Sequence, residues 1–359
     1  MVEKHTFGTT PQGEEVRTFT LRHGTWSADV MDFGATLLAL RAPDRTGAIA
    51  DIVLGFDRLD GYFDDPACYG ATIGPSANRT DKGEITVDGT VWQLARNDGP
   101  ANENNLHTDL EHGLHKRVWN AEVADCANAV TFRIHLAHGE LGLPGERDLS
   151  VRYELVGSDD ACELVLTQRC ATDRPTFVNT TSHSYFNLAG HDSGDVLDQT
   201  IRINATTMLP VREDSVSEGD IVPVAGTPFD FTGARPVGEG VDQSGDVQIA
   251  RGRGYDHCFC IEGWVPDASP RPALWAADPT SGRSLEILIT DPGAHLYTGN
   301  WLDDANAKNG ASYGPRSGFA FEPEFYPDCT HHAAWPQPVC TPAHPFSSTI
   351  VYRLGTQKA

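Results

Sequence analysis

Short stretches of alternating apolar and polar residues run along most of the chain, whereas long helical periodicity is hard to find. Alternation with a period of two predicts strands, because successive side chains of a strand face opposite sides of a sheet. The chain's 35 glycines and 23 prolines interrupt these stretches at short intervals. The predicted strands cover residues 16–22, 26–33, 35–41, 130–136, 150–155, 163–168, 201–204, 284–289 and 349–353.

A β-hairpin is predicted at residues 85–94, where two alternating segments flank Asp88 and Gly89. A two-residue type I′ turn needs a positive φ at both central residues, which the pair Asp-Gly tolerates. Short strands separated by turn residues favour an all-β fold, a large antiparallel β-sandwich or a barrel. Because no repeat, low-complexity tract or linker interrupts the chain, we expect a single domain over residues 1–359.

Composition excludes several classes of function. The 50 acidic residues outnumber the 27 Lys and Arg residues, which gives a net charge of −23. Such a surface repels nucleic-acid phosphates and anionic lipids, so we expect no nucleic acid and no membrane as partner. No membrane-span-length apolar run and no secretory signal is visible, so the expected location is cytoplasmic. The eight cysteines form no C-x-x-C pair and are expected to be reduced and mostly buried.

The densest polar cluster covers residues 104–115. Its ionisable members resemble metal ligands at first sight, but a structural zinc site usually needs a second matching ligand pair elsewhere. We therefore favour a polar loop, or a loop that supplies one histidine to a ligand, over a metal site. These ionisable residues are His107, Asp109, Glu111, His112 and His115.

A second cluster, at residues 178–188, combines histidine with aromatic residues. In an extended segment, His183 and Tyr185 face one side, and Ser184 and Phe186 face the other. This combination suits a sugar, because the aromatic ring offers an apolar platform and the imidazole offers a proton. The alternative is a structural histidine whose hydrogen bonds are satisfied inside the protein.

A third cluster places Glu322 and Glu324 on one face of an extended, aromatic-rich segment. Paired carboxylates could be the acid and base of a glycosidase, or an ordinary surface pair. Asp256 could accept hydrogen bonds from hydroxyl groups, or could belong to a turn. Asn78 and Arg79 could donate to sugar oxygens, or could anchor a loop. No glycine-rich phosphate cradle and no Gly-x-Ser-x-Gly elbow is present.

Seven strings of residues, in order along nearly the whole chain, resemble the aldose 1-epimerase family, also called galactose mutarotases. The two most specific are His183-Ser-Tyr-Phe-Asn-Leu188, which ends the string that begins at Asn179, and Tyr297-Thr-Gly-Asn300. The others are Asn78-Arg79, Asn105-Leu-His107 with Trp119 downstream, Gly226-Thr-Pro-Phe-Asp-Phe231, Gly254-Tyr-Asp-His257 and Phe321-Glu-Pro-Glu324.

The resemblance implies a large antiparallel β-sandwich with an open substrate cleft and an isomerase that interconverts the α and β anomers of a free aldose. Glu322 would be the general base and His183 the general acid, with pKa values near their ordinary ones. No metal and no organic cofactor is expected, and the protein would be a monomer or a homodimer. The sugar-binding residues implied are Asn78, Arg79, His107, Ser184, Tyr185, Asp256 and His295.

Two positions depart from the family pattern. Thr108 and Asp109 stand where the family usually has two glycines, so the backbone is expected to lose access to positive φ. The charge of Asp109 is expected to favour the imidazolium form of His107. His295 stands where the family commonly has a Gln that touches sugar. A catalytically silent carbohydrate-binding protein and a glycosidase that uses Glu322 and Glu324 remain the alternative functions.

Overall fold

Antiparallel strands make up nearly all of the regular structure. The computed structural model describes residues 2–158, 161–266 and 269–357. The first strands along the chain are β1 (Glu3–Thr9), β2 (Glu15–His23), β3 (Trp26–Met31), β4 (Thr36–Pro43), β5 (Ile49–Asp51), β6 (Thr72–Ile73), β7 (Arg79–Thr80), β8 (Glu84–Val87), β9 (Thr90–Gln93) and β10 (Asn105–Leu106). The middle of the chain forms β11 (Asn120–Val123), β12 (Ala129–Leu136), β13 (Arg147–Gly157), β14 (Cys162–Thr172), β15 (Thr176–Phe177), β16 (Thr181–Ser182), β17 (Tyr185–Phe186), β18 (Thr200–Ile203) and β19 (Thr207–Met208).

The remaining strands are β20 (Val222–Pro223), β21 (Arg235–Pro236), β22 (Asp256–Cys260), β23 (Arg271–Ala277), β24 (Arg283–Ile289), β25 (Gly293–Tyr297), β26 (Phe319–Glu324), β27 (Val339–Cys340) and β28 (Phe346–Thr356). Within the described residues the chain forms one α-helix, α1 (Val247–Gly252), which is capped by the carboxylate of Asp246. Short 3₁₀ turns lie at Leu59–Tyr62, Asp81–Gly83, Pro100–Asn102, Leu114–Lys116, Glu140–Gly142, Val237–Glu239, Lys308–Gly310 and Cys329–His331.

The described strands form three large sheets, and all adjacent strands within these sheets pair antiparallel. The first has the order β1-β2-β3-β4-β5, and the second has nine strands in the order β11-β12-β13-β14-β28-β24-β23-β18-β21. The third, which we call the cleft sheet, has the order β17-β26-β25-β22-β19-β20. The pairs β6–β16, β7–β10, β8–β9 and β15–β27 are smaller additions.

The nine-stranded sheet packs its apolar face against both other sheets. Along β13, Leu149, Val151 and Tyr153 are buried, and the residues between them are more exposed. Phe19 of β2 lies 5.6 Å from Phe132 of β12, measured between ring centres. Phe186 of β17 lies 5.2 Å from the ring of Tyr352 on β28. The architecture is therefore the antiparallel sandwich that the sequence predicts.

Each predicted strand is observed. Several observed strands extend beyond the predicted ends, whereas β3 ends at Met31, two residues before the predicted end. The hairpin is also confirmed, because Asp88 has φ 48° and Gly89 has φ 74° between β8 and β9. All eight cysteines are unpaired, and Cys126 is the exposed one. The three large sheets contribute to one apolar cluster. The single domain over residues 1–359 stays a prediction.

The cleft sheet has a feature that the alternating pattern does not predict. All six residues of β26 are buried, including Glu322 and Glu324. Asn78, which lies outside this sheet, contacts His295 and Glu324 on one face of it. Within the described chain, no helix has both the length and the apolar character needed to cross a bilayer.

Candidate active site

A cleft of about 270 Å³ opens on one face of the cleft sheet. This volume is close to the lower end of the range of small-molecule sites. Strands β17, β22, β25 and β26 each contribute a side chain, and short β7 and the loops beside it close the other wall. The structure brings together eight of the nine sequence-predicted site residues as lining of this cleft: Asn78, Arg79, His107, His183, Tyr185, Asp256, His295 and Glu322.

Ser184 is the predicted site residue that the structure places elsewhere. It is buried outside the cleft lining, and its hydroxyl oxygen lies 3.0 Å from that of Ser182. The predicted alternation explains this, because His183 and Tyr185 face the cleft while Ser184 and Phe186 face inward. A sugar-binding role for Ser184 is therefore corrected: its hydroxyl belongs to the interior.

Glu322 and His183 form the central pair of the cleft. Oε2 of Glu322 lies 3.5 Å from Nε2 of His183, and only 3% and 6% of these residues are exposed. The ring of Tyr185 packs against that of His183, with 5.1 Å between ring centres. A carboxyl and an imidazole at this distance, within a ligand-sized cleft, have the composition of a general acid–base pair.

Burial moves both pKa values away from those expected. Burial raises the pKa of Glu322 to about 8. Nearby carboxylates also raise this pKa, whereas His295 and Arg79 lower it. Burial also lowers the pKa of His183 to about 4. The expectation of nearly ordinary values is wrong, because neither charged form is well solvated. Near neutral pH the pair holds one transferable proton, on Glu322.

His107 remains in the cleft despite the altered residues that follow it. His107 and Thr108 both adopt left-handed backbone conformations, with φ of 55° and 68°. The expected loss of positive φ is therefore wrong. Buried Thr108 is held by two hydrogen bonds: its hydroxyl accepts from the Ser76 amide at 2.7 Å and donates to the Ser76 carbonyl at 3.0 Å. These bonds stabilise a conformation that a β-branched residue rarely adopts.

The protonation state of His107 also differs from the expectation. Its Nδ1 accepts from the backbone amide of Asn78 at 3.1 Å, so the ring proton lies on Nε2. Burial and the neighbouring His183 lower the pKa of His107 well below its ordinary value. Asp109 does not favour an imidazolium here, because its carboxylate accepts from the amides of Glu111 and His112 instead. His107 is thus a neutral donor.

His295 and Asp256 form the second polar group of the cleft. Nε2 of His295 lies 2.7 Å from Oδ1 of Asp256, and Arg79 approaches the same carboxylate at 3.8 Å. Arg79 also donates to Asp98 at 2.8 Å, so the loop-anchoring and ligand-facing readings of Arg79 both apply. Burial opposes ionisation of Asp256, but His295 and Arg79 outweigh it and lower its pKa to about 2. Asp256 begins strand β22, and the turn interpretation is wrong.

Glu324 lies behind this group rather than in the cleft. Its side chain is fully buried, and its Oε1 accepts from the side-chain nitrogen Nδ2 of Asn78 at 3.2 Å. Burial raises its pKa. The surface-pair interpretation of Glu322 and Glu324 is wrong, since both are buried. A glycosidase pair is not favoured either, because only Glu322 lines the cleft.

Sequence reasoning missed several residues at the rim. Tyr297, Trp301, Asp303 and Asp304 line the cleft, although 58% of Trp301 is exposed. Tyr297 belongs to one of the most specific family strings, which was the available signal. Trp301, Asp303 and Asp304 follow that string directly. They belong to the loop after β25, and the fold of this loop brings them to the cleft.

Three of the lining residues could also hold a cation. One donor atom each of His107, His183 and Glu322 lie within 4.8 Å of one another. Two imidazoles and a carboxylate match the protein ligands of some catalytic zinc sites. The predicted metal-like residues of the 107–115 loop, in contrast, contribute only His107 to the cleft.

Comparisons with known proteins agree with the resemblance found in the sequence. The family model described as aldose 1-epimerase matches residues 17–353. Galactose mutarotase from Bos taurus is 37% identical over 356 residues, which cover 99% of this chain and 98% of that protein. Aldose 1-epimerase from Escherichia coli is 34% identical over 347 residues, or 96% of each protein.

A solved structure agrees with the fold. The aldose epimerase homologue from C. elegans superposes with a TM-score of 0.83 at 26% sequence identity, covering 94% of this chain and 99% of that one. The family match and the nearly full-length relatives together show that this chain belongs to the aldose 1-epimerase family.

Proposed function

We propose that this protein is an aldose 1-epimerase, an isomerase that interconverts the α and β anomers of a free aldose. The observation that carries the proposal is the buried pair of Glu322 and His183, 3.5 Å apart in a sugar-sized cleft. Anomer exchange needs one group to take a proton from the C1 hydroxyl and another to give a proton to the ring oxygen. This pair supplies both groups.

The reaction balances with one shared proton. Glu322 takes the C1 hydroxyl proton as the C1–O5 bond breaks, while His183 protonates the departing ring oxygen. The open-chain aldehyde then rotates about C1–C2. Closure reverses the transfers: Glu322 returns its proton to the C1 oxygen, and His183 removes the proton from the C5 hydroxyl as it attacks the other face.

The pKa shifts of Glu322 and His183 indicate which protonation state of the pair is the more stable. Burial raises the pKa of Glu322 and lowers that of His183, so the neutral pair is the more stable form. That form follows ring opening and is ready for ring closure. Ring opening uses the ionic form, in which the carboxylate and the imidazolium offset each other's desolvation.

Other lining groups would hold the sugar. Arg79 and Nε2 of His107 are donors, whereas the ionised Asp256 accepts from hydroxyl groups. The Tyr185 ring offers an apolar platform beside His183. Fixing the hydroxyls keeps C1 and O5 in reach of the acid–base pair during opening.

Polarimetry with fresh α-galactose, α-glucose and α-xylose tests the proposal. We expect relaxation to the anomeric equilibrium faster than the spontaneous rate for at least one of them, and no acceleration by Glu322→Gln. Sugar binding without acceleration would identify a silent carbohydrate-binding protein. Hydrolysis of an aryl glycoside would identify a glycosidase instead.

We propose that no metal takes part, although the three donor atoms described above could hold one. Proton transfer alone balances the reaction. Mutarotation should therefore be unchanged after dialysis against EDTA. Loss of activity that zinc restores would assign a metal to His107, His183 and Glu322.

A cytoplasmic location and a monomeric or homodimeric state also remain proposals. The eight unpaired cysteines, of which all but Cys126 are buried, support a reducing compartment. Fractionation of the native cell would test the location, and light scattering of the purified protein would test the oligomeric state.

A further inference from the structure

His295 lies between two buried carboxylates. It is 4% exposed in the middle of β25, and its backbone pairs with Cys258 of β22 and Glu322 of β26. Nε2 lies 2.7 Å from Oδ1 of Asp256, and Nδ1 lies 3.6 Å from Oε1 of Glu324. Nε2 therefore has a carboxylate at hydrogen-bond distance and Nδ1 has one at ion-pair distance, an arrangement that stabilises a charged imidazolium.

We propose that His295 is an imidazolium that acts as a positioning residue: it holds Asp256 as an acceptor for sugar hydroxyls and places a positive charge beside Glu322, its partner across the strands. This inference rests on the proposed mutarotase function for its kinetic consequence, but not for the charge state itself. His295 acts through its neighbours, so it needs no bond to a reacting atom.

The titratable and charged groups around the ring come from several elements. Asp256 and Cys258 face it from β22, and Glu322 and Glu324 face it from β26. Arg79 from β7 is a cation that approaches the same Asp256 carboxylate at 3.8 Å, whereas His107 and His183 are neutral. Interactions with Asp256 and Glu324 outweigh burial, and they raise the pKa of His295 to about 10. The same charge lowers the pKa values of both Glu322 and His183.

Asn78 provides the opposing consideration. The side-chain nitrogen of Asn78, Nδ2, lies 2.9 Å from Nδ1 of His295. The backbone N–H of Arg79 donates to Oδ1 of Asn78 at 2.7 Å, and this bond fixes which way the Asn78 side chain is turned. A neutral imidazole would accept from Asn78 and donate to Asp256. A glutamine at this position could do the same with its oxygen and nitrogen. His295→Gln therefore separates the two states, because it mimics the neutral ring and lacks the positive charge.

The first experiment measures kcat/KM for mutarotation against pH in the wild type and in His295→Gln. Removing a positive charge raises the proton affinity of both Glu322 and His183, so both limbs of the profile should move to higher pH, by about one unit. Limbs at unchanged pH, with or without a uniform loss of rate, would overturn the proposal.

The second experiment reads the charge state directly. Protein labelled with ¹⁵N-histidine should show, for the signals that His295→Gln removes, two protonated ring nitrogens at pH 7.5. One protonated and one bare nitrogen would overturn the proposal even if the kinetics were too slow to profile. A wild type without mutarotase activity would refute the proposed function and leave this measurement valid.

His191→Gln is the matched control. His191 is also buried, but its ring contacts Tyr313 and Asn309 and does not line the cleft. We expect its pH limbs to match those of the wild type. A similar shift in this variant would show that the movement comes from any buried histidine, and would overturn the assignment to His295.

Discussion

Two sheets of this protein contain the same local pattern, a basic residue between two acidic ones on neighbouring antiparallel strands. On the nine-stranded sheet, Arg353 of β28 lies 2.7 Å from Glu163 of β14 and 2.6 Å from Glu286 of β24. On the cleft sheet, His295 lies between Asp256 and Glu324. The side chain of Arg353 is 43% exposed, whereas that of His295 is 5% exposed.

The difference in burial decides what each group of charges can do. Water screens the charges around Arg353, so this network stabilises the fold weakly. Around His295, solvent is excluded, and each charge changes the proton affinity of its neighbours. Residue types and strand pairing are therefore similar in the two places, and chemistry is expected only where solvent is excluded.

The largest expected effect comes from the acid–base pair. Glu322→Gln and His183→Asn keep similar shapes but remove the proton chemistry. Each should lower kcat for mutarotation by at least about 100-fold, the usual contribution of a general acid or base. Polarimetry on one fresh α-aldose measures this. A variant that retains a tenth of the wild-type rate would contradict its assignment.

Stability measurements separate lost chemistry from lost structure. The pKa of Glu322 in the folded protein is about 8, above the ordinary 4.5. The native state therefore binds more protons, and the contribution of Glu322 to stability falls as pH rises through this window. Glutamine has no charge to desolvate. Glu322→Gln should thus melt at or above the wild-type temperature at pH 8.

A smaller loss is expected for His107→Asn. Asparagine can still accept from the Asn78 amide near the position of Nδ1, but it lacks the Nε2 donor of the histidine. We expect kcat/KM to fall by about 100-fold, as for a lost donor to developing charge. His112→Asn is the control, because that side chain is 71% exposed. Loss in the control alone would move the role to His112.

The fold was predictable where strands are long and half-buried. Strands such as β13 alternate strictly, because one face packs on the core and the other meets solvent. The two-residue strands β6, β7, β10, β16 and β17 were not predictable, since two residues carry no periodicity. They matter nonetheless, because β7 and β17 carry Arg79 and Tyr185 into the cleft.

The residues of the site were predictable from their residue types and from the sequence strings shared with the family. The burial of Glu324 and the left-handed conformation of Thr108 were not. Each depends on contacts with residues distant in sequence: Thr108 keeps its conformation through Ser76, and Glu324 is covered through Asn78. The pKa shifts follow from this burial, so they could not be read from the chain.

The pH dependence of the wild type sharpens the comparison further. Below about pH 4, His183 is protonated as well as Glu322, so the pair holds two protons and no base remains. Above about pH 8, Glu322 loses the one proton that the pair shares, and no acid remains. A bell-shaped profile of kcat/KM between these limits is expected, with apparent values that belong to the pair. A plateau that extends from pH 5 to pH 10 would contradict the shared-proton mechanism.

The smallest effect is expected at Arg353, and it tests whether burial is what separates the two networks. Arg353→Gln removes a positive charge between two carboxylates, as His295→Gln does, but water can solvate Glu163 and Glu286 in the variant. The free energy of unfolding should therefore change by less than about 1 kcal/mol, and less at high salt. Urea denaturation measures this, and the pH limbs of mutarotation should stay in place. A loss of several kcal/mol, or a shift like that expected for His295→Gln, would mean that strand pairing rather than solvent exclusion gives such networks their influence.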